Sequence, residues 1–359
     1  MSLVKNTLLV GLLGGALACT GGPTGSNGGT PSPLGAGGSN GGSGGRTGAG
    51  GMTTSMGSGG SEMRPEGPPP PRCQESVVGP RAIVRLTATE LSNTLRDIFP
   101  EAKGSVSLGL SDPLDSKDGF INPSKLLVGE DSADKLLTAA KAYADAVVAP
   151  ANLTTLANKF PCVSGAKDAK CAGDVIARYG RRLFRRPLTS EEQSRYVALH
   201  TTVAGKSDFA QGLKWTLVAL VQSPNTLYRR QVGKPAGNGV HKLTPFELAS
   251  ELAYTFTGTG PSEELLMKAE SGGLVSRDAL MNEARTLLQT PAGRKATGEF
   301  FRLWLGYDLV TANQRDGITG FAALRDKLAQ ETETFIDRVV FTEKGGLPLL
   351  LTTPVTTVD

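Results

Sequence analysis

Past residue 72 the chain alternates apolar and polar positions with a helical period. TELSNTLRDIF, 89–99, places Leu91, Leu95, Ile98 and Phe99 on one side and stops at Pro100. DKLLTAAKAYADAVV, 134–148, repeats this with Leu136, Leu137, Ala140, Tyr143, Ala144 and Val147. FAQGLKWTLVALVQ, 209–222, is apolar almost all round, which predicts a central helix. Further helices are expected over 245–257, 262–270, 276–289, 293–305 and 319–341, with GKPAGNG (233–239) and SGG (271–273) as breakers. The stretch 101–130 lacks helical periodicity, and two-residue alternation is almost absent. The pattern predicts an all-α fold of bundle-like helical domains, an N-terminal one over 73–235 and a C-terminal one over 236–359.

Three helix starts share one signature. Thr87 and Glu90, Thr189 and Glu192, and Thr244 and Glu247 each follow a leucine and are spaced for a capping box. The threonine hydroxyl accepts from an orphan N–H, and the glutamate three residues on reaches back to the cap. Pro245 stands at the first helical position, where a missing N–H costs nothing.

The second cap ends RYGRRLFRRPLTSEE, 178–192, which holds Arg178, Arg181, Arg182, Arg185 and Arg186. Ala172, Val175, Ile176, Tyr179 and Leu183 fall on one face of a helix expected to end at Pro187, with arginines over much of the rest. Arg181/Arg185 and Arg182/Arg186 would then be like-charge pairs four apart, unfavourable unless acids or an anion answer them. Three readings compete: phosphate contacts to nucleic acid, an anionic substrate or lipid headgroup, and an ion-pair hub between helices. The hub is favoured, with Glu90, Asp97, Glu247, Glu251, Glu331 and Glu333 as candidate partners.

The N-terminus bears on that choice. MSLVKNTLLVGLLGGALAC has a single early charge, Lys5, then an apolar run to Ala18, the pattern of an export signal over 1–18. Ala16-Leu17-Ala18 fits ordinary signal cleavage, while Ala16-Leu17-Ala18-Cys19 resembles a bacterial lipobox that would leave Cys19 lipidated. The lipoprotein reading is favoured because residues 19–72 are a Gly/Ser/Pro-rich leash, too poor in apolar side chains to offset its ordering entropy. The expected location is the outer membrane or cell surface, with the membrane as partner through the lipid; the alternative is a secreted soluble protein.

Composition excludes some classes. The chain has 38 Lys+Arg and 34 Asp+Glu. Lys5, Arg46, Arg64, Arg72, Glu62 and Glu66 precede residue 73, leaving a net +2 for the rest. A near-neutral exported domain argues against nucleic acid as partner. Of four cysteines, none is spaced C-x-x-C, so neither a metal site nor haem attachment is expected here. Cys162 and Cys171 bracket a short polar loop and are a candidate disulfide, worth roughly 2–3 kcal/mol; Cys73 is left without a partner. His200 and His241 have no ligand spacing and read as surface or cap histidines. Glu191/Glu192 and Glu263/Glu264 sit at expected helix starts, Glu331 and Glu333 diverge on a helix, and Trp215, Trp304 and Tyr307 read as core. No nucleophile elbow, phosphate loop or dinucleotide fingerprint is present.

RLTATELSNTLRDIF, CAGDVIARYGRRLFRRPLTSEE, LVQSPNTLYRR and LTPFELASELAYTF together resemble exported planctomycete and myxobacterial proteins built from domains of unknown function 1587, 1595 and 1592. ESGGLVSRDALMNEARTLLQTPAGR, FFRLWLGYDLV and ETETFIDRVVF resemble the last of these. Two departures are Leu91, where the family has an aromatic, and LAYTFTGTGPSEELL, which lacks the tryptophan often found there. The resemblance assigns no catalytic residue. It implies that the chain stops before a C-terminal part bearing C-x-x-C-H, so c-type haem is expected only there and no cofactor in this chain. The expectation is a tethered binding or scaffolding module for an envelope protein or extracellular ligand; the alternative is an extracellular enzyme, hydrolase or oxidoreductase, acting on a polymer or small molecule.

Overall fold

The computed structural model describes residues 79–354, except 103–105, 116–118, 308 and 310–319. The export signal, Cys19, the leash and Cys73 lie outside the described residues. The fold is all-α with four very short strands. Among the described residues no helix is long and apolar enough to cross a membrane.

Strand β1 (Ala82–Arg85) leads into α1 (Ala88–Ile98), followed by α2 (Glu130–Val148), α3 (Leu153–Lys159), α4 (Ala169–Phe184), α5 (Ser190–Ala204), α6 (Phe209–Val221) and the single turn α7 (Pro224–Leu227). Helix α6 is the hub, packed by α2, α4 and α5. Its Leu213, Leu217 and Leu220 are fully buried in one core with Leu86, Leu95, Phe99, Tyr143, Ile176 and Leu183. The ring of Phe99 stacks on Tyr179 at 5.3 Å. Gly212 permits the close α5–α6 approach, since a Cβ there would lie 2.8 Å from the His200 carbonyl oxygen. A disulfide joins Cys162, in a 3₁₀ turn after α3, to Cys171 in the first turn of α4.

The non-periodic stretch 101–130 sends Ala102 and Leu108 into the core and is also held by polar contacts. Buried Arg85 pairs with Asp112 and donates to the Leu127 carbonyl at 3.1 Å. Asp112 also accepts from the Ala88 N–H at the start of α1.

Strand β2 (Tyr228–Gln231) returns antiparallel to β1, with Arg85 opposite Tyr228 and Ala82 opposite Gln231. Four residues are too few for alternation to register in sequence, which is why these strands were not expected. The stretch 233–242 forms a hairpin of β3 (Lys234–Pro235) and β4 (His241–Lys242). Then come α8 (Pro245–Thr257), α9 (Glu263–Glu270), α10 (Arg277–Gln289), α11 (Pro291–Leu305) and α12 (Phe321–Asp337), which continues as a π turn, Arg338–Thr342, before α13 (Leu347–Thr352). Helix α8 packs against α9, α10 and α11. Apolar burial here is divided among small clusters, one around Ala249, Leu265 and Leu274 and another around Phe301, Ile336 and Val339.

Polar contacts join the helices on either side of the hairpin. The Asn93 amide donates to the Gly258 carbonyl at 3.0 Å, and the Gly260 N–H donates to Thr94 Oγ1 at 3.0 Å. Tyr254 is buried in the larger core, with its hydroxyl 3.2 Å from that of Thr94.

Candidate functional site

The three capping boxes form, and each glutamate does a second task with its other oxygen. Glu90 Oε2 accepts from the Thr87 N–H at 2.8 Å, while Oε1 lies 3.8 Å from Arg229. Glu192 Oε2 accepts from the Thr189 N–H at 2.9 Å, and Oε1 accepts from Arg186 at 2.8 Å and the Asn225 amide at 3.3 Å. Glu247 Oε2 accepts from the Thr244 N–H at 2.8 Å, and Oε1 takes the Val232 and Gly233 N–H groups at 3.0 and 3.1 Å. Every cap therefore ties its helix start to another element.

The arginines do not gather in one place. Helix α4 ends at Phe184, before the expected Pro187, because Arg185 takes a left-handed conformation with φ 59°. Arg185 and Arg186 thus leave the helix, and the expected pairs four apart do not form. Arg181 binds Glu263 and Glu270 on α9, each at 2.9 Å, and Arg182 binds Asp97 on α1 at 2.6 Å. Arg178 is exposed. Arg186 makes a two-pronged pair with Glu192, both distances 2.8 Å, which raises its own pKa. The same pair is the main cause that holds the Glu192 carboxyl below the usual range, against an opposing effect of burial.

Among the described residues Arg185 has no carboxylate partner. Only 4% exposed, it donates to the carbonyls of Leu183, Asn225, Thr226 and Tyr228 at 2.7–3.1 Å. The left-handed turn points this side chain inward, where it satisfies the carbonyls at the α7–β2 junction. The Tyr254 ring lies between Arg185 and Arg229, with guanidinium carbons 5.8 and 5.3 Å from its centre. Arg229 also reaches Glu251 at 3.6 Å. Arg229 thus takes up two of the acids expected for the cluster, and Arg182 takes a third.

Beside this network lies a cleft of about 730 Å³. It is lined by the end of α4, the caps of α5 and α8, and the β2–β3 connection. Phe184, Pro187, Val232, Pro245 and Phe246 make most of its exposed lining apolar, and its cations are Arg186, Arg230, Lys234 and the buried Arg185. Arg230 and Lys234 are exposed, and neither side chain has a hydrogen bond or ion pair among the described residues. Lys234 lies directly opposite Lys242 in the hairpin, a like-charge cross-strand pair. Gly233, with φ +64°, closes the hairpin base, and a Cβ there would lie 2.6 Å from the Lys242 carbonyl oxygen. Glu247, the acid lining the cleft, has both oxygens committed to backbone N–H groups. Burial opposes its ionisation, but the bonds from Thr244, Gly233 and Val232 outweigh that and leave its pKa lowered.

Sequence reasoning missed Arg230 and Lys234 by concentrating on the arginine run. A signal was available, since no acidic residue lies between Asp208 and Glu247 while Lys214, Arg229, Arg230, Lys234 and Lys242 do.

Other expectations change. His200 is buried, 2% exposed, rather than on the surface. Its Nε2 contacts the Phe209 carbonyl at 3.2 Å, and burial lowers its pKa, partly offset by that carbonyl. Trp215 and Trp304 are 40% and 43% exposed rather than core. Lys141 and Lys214 each lie 5.8 Å from the Trp215 ring centre, and Trp304 stacks on Phe300. Among the described residues no group of acids, histidines and cysteines is placed to hold a metal ion. Cys162 and Cys171 are bonded to each other, so neither is a free thiol.

The comparisons fall on both sides of this cleft. Residues 171–230 match PSD5, a protein family of unknown function (DUF1595), and residues 243–359 match PSD4, a protein family of unknown function (DUF1592). Neither match covers the first motif, RLTATELSNTLRDIF. No curated protein and no solved structure matches the chain.

Proposed function

We propose that the chain is an exported lipoprotein, anchored through Cys19 at the outer membrane or cell surface, and that its helical unit is the binding or scaffolding part of a larger protein. The partner docks in the cleft between the two family-matched segments. The observation that carries this reading is the cleft itself, which combines an apolar lining with two cations, Arg230 and Lys234, that pair with no acid among the described residues. The committed oxygens of Glu192 and Glu247 favour binding over general acid–base chemistry, because a catalytic carboxyl must be free to exchange a proton.

The test is site-specific photocrosslinking in the envelope of a lipoprotein-exporting bacterium, with a benzophenone at residue 234 and, as control, at exposed Val275. Discrete adducts from residue 234 alone are expected; the same adducts from both positions would sink the cleft as docking site. Cys19→Ala should release the chain from the membrane fraction, and retention of that variant would remove the lipid anchor.

A further inference from the structure

We infer that the occupant of the cleft is an acidic peptide segment, one that seats an apolar side chain on the floor and sets carboxylates against Arg230 and Lys234. This rests on the docking role proposed above and names its chemistry. Three observations converge. The floor, formed by Phe184, Pro187, Val232 and Phe246, is apolar and gains from a side chain that displaces water. Arg230 and Lys234 are exposed along it without acidic partners among the described residues. Lys234 opposes Lys242 across the hairpin, an arrangement that is destabilising until an anion sits against it.

The combination selects among anions. An acidic polysaccharide would bring hydroxyls to a floor that is mostly apolar. A lipid headgroup would satisfy the cations but keep its acyl chains in the bilayer and leave the floor uncovered. A peptide with neighbouring acidic and apolar residues supplies both groups within a few ångströms, because consecutive Cα atoms are only about 3.8 Å apart.

The experiment is fluorescence anisotropy on the full chain with a labelled Asp-Leu-Asp-Phe-Asp peptide, its Asn-for-Asp counterpart, and Arg230→Gln and Lys234→Gln variants. Both substitutions lie on the surface, and an unchanged thermal melt checks the fold. The acidic peptide should bind and weaken as salt rises, since screening shortens from about 10 Å at 0.1 M to about 3 Å at 1 M. The double variant should lose about five- to tenfold in affinity, and the amide peptide should bind no better than to that variant. Equal binding of acidic and amide peptides, weakened by Val232→Asp, would overturn the carboxylate inference while leaving the cleft as docking site. Displacement of the peptide by an equimolar uronate oligosaccharide or by anionic vesicles would overturn the peptide assignment. Binding indifferent to all three substitutions, or no binding of the acidic peptide, would overturn the inference; the crosslinking at residue 234 then decides the docking role separately.

Discussion

The helices before the β3–β4 hairpin and those after it solve the same packing problem differently. The first group gathers its buried apolar side chains in one continuous core around α6 and adds a disulfide, leaving Ile83, Leu114, Leu127 and Trp215 exposed. The second divides its burial among small clusters and leaves Met267, Val275, Trp304, Leu305, Leu309, Leu324 and Leu351 well exposed. One contiguous core resists local opening, because no part can leave without exposing the rest. Separate clusters can open one at a time. The first group should therefore act as the rigid wall of the cleft, and the second as the part whose stability responds to what is bound.

The largest test of that contrast is one substitution made in both groups. Leu217→Ala, at a fully buried site, should cost about 4–5 kcal/mol in urea denaturation, and Leu350→Ala, in the cluster around Phe301, about 2 kcal/mol. Equal costs would break the comparison. Next comes Arg185→Met, which leaves four carbonyls without their donor and should destabilise by roughly 2–4 kcal/mol. Hydrogen exchange should then show loss of protection around β2 and α7; a loss confined to α4 would mean that the arginine serves only its own helix end. Replacing Cys162 and Cys171 together by serine should cost about 2–3 kcal/mol and leave exchange in α10–α12 unchanged.

The smallest effect concerns pH. His200 is held neutral by burial in the first group, so its folded pKa lies below the ordinary value of 6.5. The unfolded chain takes up the proton first as pH falls. The contribution is fully present above about pH 6.5 and declines below it, until the folded pKa is reached. His200→Gln should flatten that part of the stability profile, and an unchanged profile would mean that another group sets it.

Legibility in the sequence follows the range of the interactions. The caps at Thr87, Thr189 and Thr244 are complete within four residues, so Thr-x-x-Glu carries their geometry, and helical periodicity carries α1, α2, α6 and α8 through α10 in the same way. The end of α4 is not local. Nothing in FRRPLT says that Arg185 will turn left-handed, because the carbonyls it collects come from Asn225, Thr226 and Tyr228, some forty residues on. Burial of His200 likewise depends on Gly212 of the next helix. Exposure of the tryptophans depends on which face each helix turns to its neighbours, and an apolar run on all sides leaves that choice open. The cleft was invisible for the same reason: Arg230 on β2, Lys234 on β3 and the apolar Phe184 and Phe246 come from separate elements that meet only in three dimensions.

Glu247 carries one more consequence. Family similarity resumes at residue 243 and stops at 230, yet this glutamate clamps the backbone of Val232 and Gly233 onto the first turn of α8. The boundary along which sequences are inherited therefore does not coincide with the boundary along which the chain gains order. The first turn of α8 thus holds in place two residues that belong to neither matched segment, so a substitution at Glu247 acts on both sides of that gap.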